Sequence, residues 1–101
     1  MNERRAEFDA LIAEYRRDLS QKLARIESLL SGGRLAELRR AAHTLAGSAG
    51  TYGLPRVGQA AAAAEAYLEA SADALDAAGR AELERLVARL ADEVRSATDV
   101  R

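Results

Sequence analysis

The side chain in this sequence with the clearest capacity for chemistry is the imidazole of His43, the single histidine of the chain. A neutral imidazole is a nitrogen nucleophile and a general base near neutral pH. Arg39 and Arg40 lie one helical turn before it and supply cationic donors suited to an oxyanion or an acidic partner. Small residues occupy the same face within two turns: Ala36, Ala46, Gly47 and Gly50. This spacing predicts a sterically accessible nitrogen nucleophile with positive charge beside it.

Gly47 is the most informative of these small residues. A glycine inside a helix costs about 0.5–1 kcal/mol relative to alanine, so its presence needs a compensating reason. Close approach of a large partner to His43 is one such reason. Two alternatives stay open at this point: Gly47 packs against another helix, and His43 is an ordinary surface histidine.

The composition excludes several classes of site. With no cysteine and one histidine, the chain has no disulfide, no thiolate nucleophile and no multi-histidine or cysteine-based metal site. Its 15 basic and 16 acidic side chains give a net charge of -1, which disfavours binding to nucleic acid or to an anionic membrane. The sequence has no Gly-rich phosphate loop, no apolar leader and no long apolar run. We therefore expect a cytoplasmic protein with no cofactor or metal of its own.

The elements that must position these residues are predicted to be helices. Hydrophobic residues make up 49% and aromatic residues only 4% of the 101 residues, which favours one domain of closely packed helices over a sheet sandwich. Breaks at residues 31–33, 50–55 and 71–76 separate four segments with a helical apolar period. The predicted helices cover about residues 3–31, 35–51, 54–71 and 76–98. We expect an all-α fold, an antiparallel up-down-up-down four-helix bundle in which residues 1–101 form a single domain.

Each predicted helix has an apolar stripe, and we expect all four stripes to be buried in one core. The first stripe consists of Phe8, Leu11, Ile12, Tyr15, Leu19, Leu23, Ile26, Leu29 and Leu30. Pro55 is placed to open the third helix, and Asp76 is the predicted N-cap of the fourth. On the second helix, His43 lies about 140° from the centre of the apolar stripe, so its ring is predicted to face water.

Residues 41–54, AAHTLAGSAGTYGL, resemble the motif of the histidine-containing phosphotransfer (HPt) domain, which is approximately A-H-x-L-K-G-S-(A/S)-x-x-x-G. This resemblance implies that His43 accepts a phosphoryl group, that Gly47 admits a receiver domain and that Ser48 is the motif serine. The family fold is also a four-helix bundle with the histidine exposed on its second helix. One position departs from the motif, because Ala46 stands where the family has a lysine that helps to hold the phosphoryl group.

The chain is also similar to the phospho-acceptor domain of chemotaxis histidine kinases, in which an acidic residue on the next helix hydrogen-bonds the histidine ring. The corresponding residue here is Glu65, 22 positions after His43 and on the flank of its helix's apolar stripe. The resemblance implies His43 as phospho-acceptor and Glu65 as the residue that orients its ring. The implied phosphate or partner contacts are Arg39, Arg40, Ala46, Gly47, Ser48 and Gly50.

A phosphocarrier of a two-component phosphorelay, rather than an enzyme, is what this resemblance implies. Its partners would be a response-regulator receiver domain, a histidine kinase or both, and Mg²⁺ would come from the receiver. Two alternatives remain open: a helical docking module that binds a receiver or kinase without carrying phosphate, and an enzyme that uses His43 as a general base. We expect a monomer, because a closed bundle leaves little apolar surface for a dimer.

Overall fold

The computed structural model describes residues 3–71 and 74–99. These residues form four helices: α1 (Glu3–Ser31), α2 (Leu35–Thr51), α3 (Pro55–Ala70) and α4 (Ala77–Thr98). In this part of the chain there is no strand, and α2 contacts α1 and α3 but not α4, so α2 and α4 lie on opposite sides of the bundle. The predicted all-α four-helix bundle is confirmed.

Side-chain contacts run in opposite directions along neighbouring helices. On the α1–α2 interface, Tyr15 meets Ser48. Arg25, further along α1, lies beside Glu37, which is further back on α2. This is the register of antiparallel neighbours, and the contacts between α2 and α3 described below have the same register.

The core is formed by one stripe of each helix, and no polar or charged side chain of the described residues is buried in it. Its largest fully buried side chains are Leu19, Ile26, Leu38, Val57, Leu83, Leu90 and Val94. Several of the buried residues of α2 and α3 are alanines: Ala42 and Ala49 on α2, and Ala61 and Ala64 on α3. Small side chains on these neighbouring helices let the two backbones approach closely, which matters for the site below.

The expectation that the whole stripe of α1 is buried is wrong for its first turns. Phe8 is 48% and Leu11 is 49% exposed, and burial on α1 begins only at Tyr15. Tyr15 meets Ser48, which lies one turn before α2 ends at Thr51. The earlier turns of α1 therefore lie past the end of α2, where α2 has no residue left to cover them.

The helix ends follow local sequence signals. Gly33 and Gly53 have φ angles of 69° and 79°, a left-handed conformation that favours glycine and closes α1 and α2. Asp76 accepts a hydrogen bond from the backbone N–H of Gly79 at 2.8 Å, so its predicted role as N-cap of α4 is confirmed. Pro55 is the first residue of α3, where its missing N–H costs nothing. None of the helices, over the described residues, combines the length and apolar character needed to cross a bilayer.

Candidate functional site

The imidazole of His43 stands on the outer face of α2. Its side chain is 74% exposed. The buried residues of α2 are Leu38, Ala42, Leu45 and Ala49, and they define the opposite face of the helix. The orientation predicted from the helical period of the sequence is confirmed, and the ring is accessible to a partner molecule.

The carboxylate of Glu65, on α3, is hydrogen-bonded to one of the two ring nitrogens. Nδ1 of His43 is 2.7 Å from Oε2 of Glu65, whose side chain is only 17% exposed. An ionised carboxylate can only accept hydrogen bonds, so Nδ1 of the neutral ring carries the proton and donates it. The lone pair then lies on Nε2, which has no hydrogen-bond partner among residues 3–71 and 74–99. The geometry thus presents a free, oriented nitrogen nucleophile to solvent.

Glu65 reaches the ring because α2 and α3 pack closely, and Gly58 is where their backbones meet. A Cβ atom added to Gly58 would lie 3.2 Å from the carbonyl oxygen of Ala46 and 3.5 Å from the backbone nitrogen of Gly50. Glu65 lies two helical turns after Gly58 on the same helix, so this close contact sets how far the carboxylate stands from the ring. Gly58 was not among the predicted site residues, although a glycine within an alanine-rich helix is a visible signal in the sequence.

The face around the imidazole is open. A Cβ atom added to Gly47 or to Gly50 would meet no neighbouring atom of residues 3–71 and 74–99 within 4 Å. The alternative in which Gly47 packs against a neighbouring helix is therefore wrong, because no residue of another helix in the described part of the chain lies there. The two glycines clear space beside His43 on the side towards the end of α2.

The two arginines before His43 lie on different sides of it. Arg39 turns towards α3, where its Nη1 is 4.0 Å from Oε2 of Glu69. Arg40 is exposed and has no carboxylate within 4.0 Å in the part of the chain that the structure describes. Ala46 is half-buried and packs against the core rather than standing on the outer face. Of Arg39, Arg40 and Ala46, Arg40 is the residue whose positive charge has no carboxylate partner among the described residues.

Ser48 does not share the face of His43. Its hydroxyl oxygen is 2.6 Å from that of Tyr15, which places it in the α1–α2 interface. The Tyr15 ring stacks on Tyr52 with centroids 4.4 Å apart and planes inclined by 14°. Burial raises the pKa of the Tyr15 phenol, and the hydrogen bond with Ser48 partly offsets that rise. The contacts among Tyr15, Ser48 and Tyr52 hold α1 against α2. The helical period of the sequence predicted Tyr15 as a core residue but did not predict these contacts.

Nothing in the described part of the chain forms a metal site, since no group of three or more His, Cys, Asp or Glu side chains converges there. The chemistry available to the site is that of one nucleophilic nitrogen with a carboxylate partner and an open approach. Such a nitrogen can accept an electrophilic group from a bulky donor that supplies the remaining catalytic groups.

Comparison with protein families gave a match over most of the chain. The model described as "Hpt domain" matches residues 10–93 of the chain, which include all of α2 and α3. The comparisons with curated proteins and with solved structures gave no match.

Proposed function

Because the chain belongs to the Hpt domain family, whose members carry phosphoryl groups on histidine in phosphorelays, we propose that Nε2 of His43 is its phospho-acceptor atom. The group would come from the phosphoaspartate of a receiver domain or from a histidine kinase, and would be passed to another aspartate. The observation that carries this proposal is the hydrogen bond of 2.7 Å between Nδ1 of His43 and Glu65, which in the neutral ring places the lone pair on Nε2 of a side chain that is 74% exposed. In this proposal residues 1–101 form one such domain.

The proposed step needs little from this chain beyond positioning. The lone pair of Nε2 attacks the phosphorus of an aspartyl phosphate, the P–O bond breaks, and the aspartate carboxylate leaves with the electron pair of that bond. Nδ1 keeps its proton, so the phosphorylated ring is cationic, and the Glu65 carboxylate offsets this charge. Transfer to a second aspartate is the reverse of this step. Phosphoryl transfer has a loose transition state, for which alignment and charge neutralisation supply most of the catalysis.

The site departs from the family at the residue that would neutralise the charge of the phosphoryl oxygens. Ala46 replaces the motif lysine and is half-buried. Arg39 is beside Glu69 at 4.0 Å, whereas Arg40 has no carboxylate partner among the described residues. We therefore assign the phosphoryl contact to Arg40, whose planar guanidinium suits phosphate oxygens.

The open face of α2 supports a protein partner as donor and acceptor. The absence of any neighbour around Gly47 and Gly50, within the described residues, leaves room for a receiver to bring its aspartate up to Nε2. In this proposal Mg²⁺ and most catalytic groups belong to that partner, and this chain acts as a carrier rather than an enzyme. Ser48 acts indirectly, because its hydroxyl is engaged with Tyr15.

The proposal is tested by phosphorylating the protein with two donors. Potassium phosphoramidate is a small P–N donor that needs no docking, and a phosphorylated receiver domain is the protein donor. We expect both to add one phosphoryl group that is labile in acid and stable in base, as a phosphoramidate bond is. His43→Gln is the control: it should keep the fold, since the side chain is 74% exposed, and lose all labelling. Labelling that persists in His43→Gln would move the acceptor elsewhere.

A second candidate function is a docking module that binds a receiver or kinase without carrying phosphate, and Ala46 is the residue that favours it. The same experiment separates the two functions. A protein that binds a receiver domain yet forms no adduct with either donor would be a docking module.

A further inference from the structure

A groove between α1 and α2 flanks His43 on the side opposite Glu65. Lys22 and Arg25 of α1 line it, together with Arg40 and Thr44 of α2. Thr44 follows His43 directly and Arg40 precedes it by one turn, so the wall of the groove is the same segment of α2 that bears the imidazole. A molecule seated in this groove would lie beside the segment of α2 that bears the imidazole.

The charges that line this groove do not balance. Its one carboxylate, Glu37, is bonded to Arg34 and lies 4.0 Å from Arg25. Lys22 and Arg40 have no carboxylate within 4.0 Å among the residues that the structure describes. The groove therefore has excess positive charge, although the chain as a whole has a net charge of -1.

Lys22 is held in place rather than free in solvent. Its Nζ atom lies 5.1 Å from the centroid of the Tyr15 ring, within the range of a cation–π contact. Tyr15 is in turn fixed by its hydrogen bond to Ser48 and its stacking on Tyr52. A cation that is already positioned loses less entropy when a partner binds to it.

The opposite side of His43 has a different charge arrangement. On α3, Glu65 is bonded to His43 and Glu69 lies 4.0 Å from Arg39, so each carboxylate has a cationic or hydrogen-bonding neighbour. Among the residues named on the two flanks, those with no carboxylate within 4.0 Å are Lys22 and Arg40, both on the α1–α2 side. A partner with acidic side chains gains attraction on one flank of the imidazole only, which fixes its orientation.

The groove fits an acidic protein surface better than a nucleic acid. Proteins that bind DNA through its backbone make on the order of 6–10 phosphate contacts, and this groove offers only a few cations within a chain of net negative charge. We propose that Lys22 and Arg25, in this groove, dock an acidic segment of the receiver partner and so set the orientation in which its aspartate meets His43, while Arg40 contacts the phosphoryl group. This inference rests on the proposed phosphotransfer function.

Charge reversal in the groove tests the inference. The variants are Lys22→Glu and Arg25→Glu, and the matched control is Arg89→Glu, an exposed residue of α4, the helix that makes no contact with α2. The probes are a phosphorylated receiver domain that labels the wild-type protein, and potassium phosphoramidate. Since a charge at the rim of an interface acts mainly on the association rate, we expect each groove variant to slow transfer about tenfold at low salt, and less in high salt.

The two probes distinguish the ways in which this inference could fail. We expect phosphoramidate to label both groove variants as fast as the wild-type protein, and Arg89→Glu to react like the wild type with both donors. If receiver transfer is equal in Arg25→Glu and Arg89→Glu, the groove inference is wrong while the proposed function stands. If neither donor labels the wild-type protein, the proposed function fails and the groove inference with it. Binding of a 20-base-pair DNA duplex that is lost in Arg25→Glu would assign the groove to nucleic acid and overturn the inference.

Discussion

Gly47 on α2 and Gly58 on α3 show how the same residue type serves opposite purposes. An added Cβ at Gly58, on α3, would lie 3.2 Å from the Ala46 carbonyl oxygen. One at Gly47, on the outer face of α2, would meet no neighbouring atom of the described residues within 4 Å. Gly58 allows a neighbouring helix to approach, and Gly47 keeps a surface clear. Each therefore has its own reason for tolerating the backbone cost of glycine in a helix.

The contrast explains how a bundle with several buried alanines on α2 and α3 comes to hold a reactive ring. Gly58 brings α3 close enough for Glu65 to bond Nδ1 of His43, which orients the ring. Gly47 leaves the other ring nitrogen approachable from outside. One glycine acts on the folded monomer and the other on the encounter with a partner, so identical substitutions at the two positions should have different consequences.

The largest effect is expected from Gly47→Gln on transfer. Its side chain would project beside the imidazole and displace a receiver from in-line geometry, and a misplacement of about 1 Å can cost about 100-fold in rate. We expect transfer from a phosphorylated receiver to fall by about that factor, with the unfolding midpoint unchanged or higher, because the site is open and glutamine is a better helix former. A destabilised Gly47→Gln protein would contradict the assignment of this face to docking.

The same substitution at the packed glycine should act on stability instead. Gly58→Gln places a side chain against the backbone of α2, and overpacking of this kind costs about 1–3 kcal/mol. Urea unfolding monitored by circular dichroism gives the free energy of unfolding for both glutamine variants. Equal stability of Gly47→Gln and Gly58→Gln would remove the distinction between the two regions.

Glu65→Ala tests whether the close approach of α3 at Gly58 serves to orient the His43 ring. Without the carboxylate, Nδ1 loses its acceptor, and a hydrogen bond to a charged group contributes about 1.5–3 kcal/mol. We expect ¹⁵N NMR to show the proton of the neutral ring distributed between both nitrogens, and phosphoryl transfer to slow about tenfold, the low end of that range. Glu65→Gln is the matched control, because its amide oxygen can still accept from Nδ1. An unchanged tautomer in Glu65→Ala would mean that Glu65 does not orient the ring.

The smallest effect is expected from Tyr15→Phe, in the α1–α2 interface. Loss of the hydrogen bond to Ser48 should lower the free energy of unfolding by about 0.5–1.5 kcal/mol and leave labelling by phosphoramidate unchanged. The pKa of Tyr15 is raised above its ordinary value of 10.0 in the folded protein, so its contribution is full below pH 10.0 and is lost as the pH rises through the folded pKa. That alkaline loss should be absent in Tyr15→Phe; a variant as sensitive to alkali as the wild type would contradict it.

Much of the fold could be predicted because it depends on local pattern. The helical period predicted four helices and the outward orientation of His43, and the capping role of Asp76 could be predicted from its residue type. The burial of Phe8 and Leu11 was predicted wrongly, because a stripe shows which face is apolar but not where the partner helix ends. Periodicity alone therefore overestimates the core at the end of a long helix.

The parts of the site that lie close together in the sequence could be predicted, and the contacts between different helices could not. Its residues on α2 follow from one motif, and the offset of Glu65 from His43 follows from the resemblance. The contacts of Gly58 with α2, and of Tyr15 with Ser48, depend on how helices rotate and pair, which no single segment specifies. The charge imbalance of the groove has the same origin, because Lys22 and Arg40 come together only when α1 packs on α2.

The central claim, that Nε2 of His43 accepts the phosphoryl group, is tested most directly by NMR of uniformly ¹⁵N-labelled protein after reaction with potassium phosphoramidate. The chain has one histidine, so every imidazole signal belongs to His43. We expect one phosphorus to couple to Nε2 while Nδ1 retains its proton bonded to Glu65. Phosphorus on Nδ1, phosphorus on another side chain, or no adduct would contradict the claim.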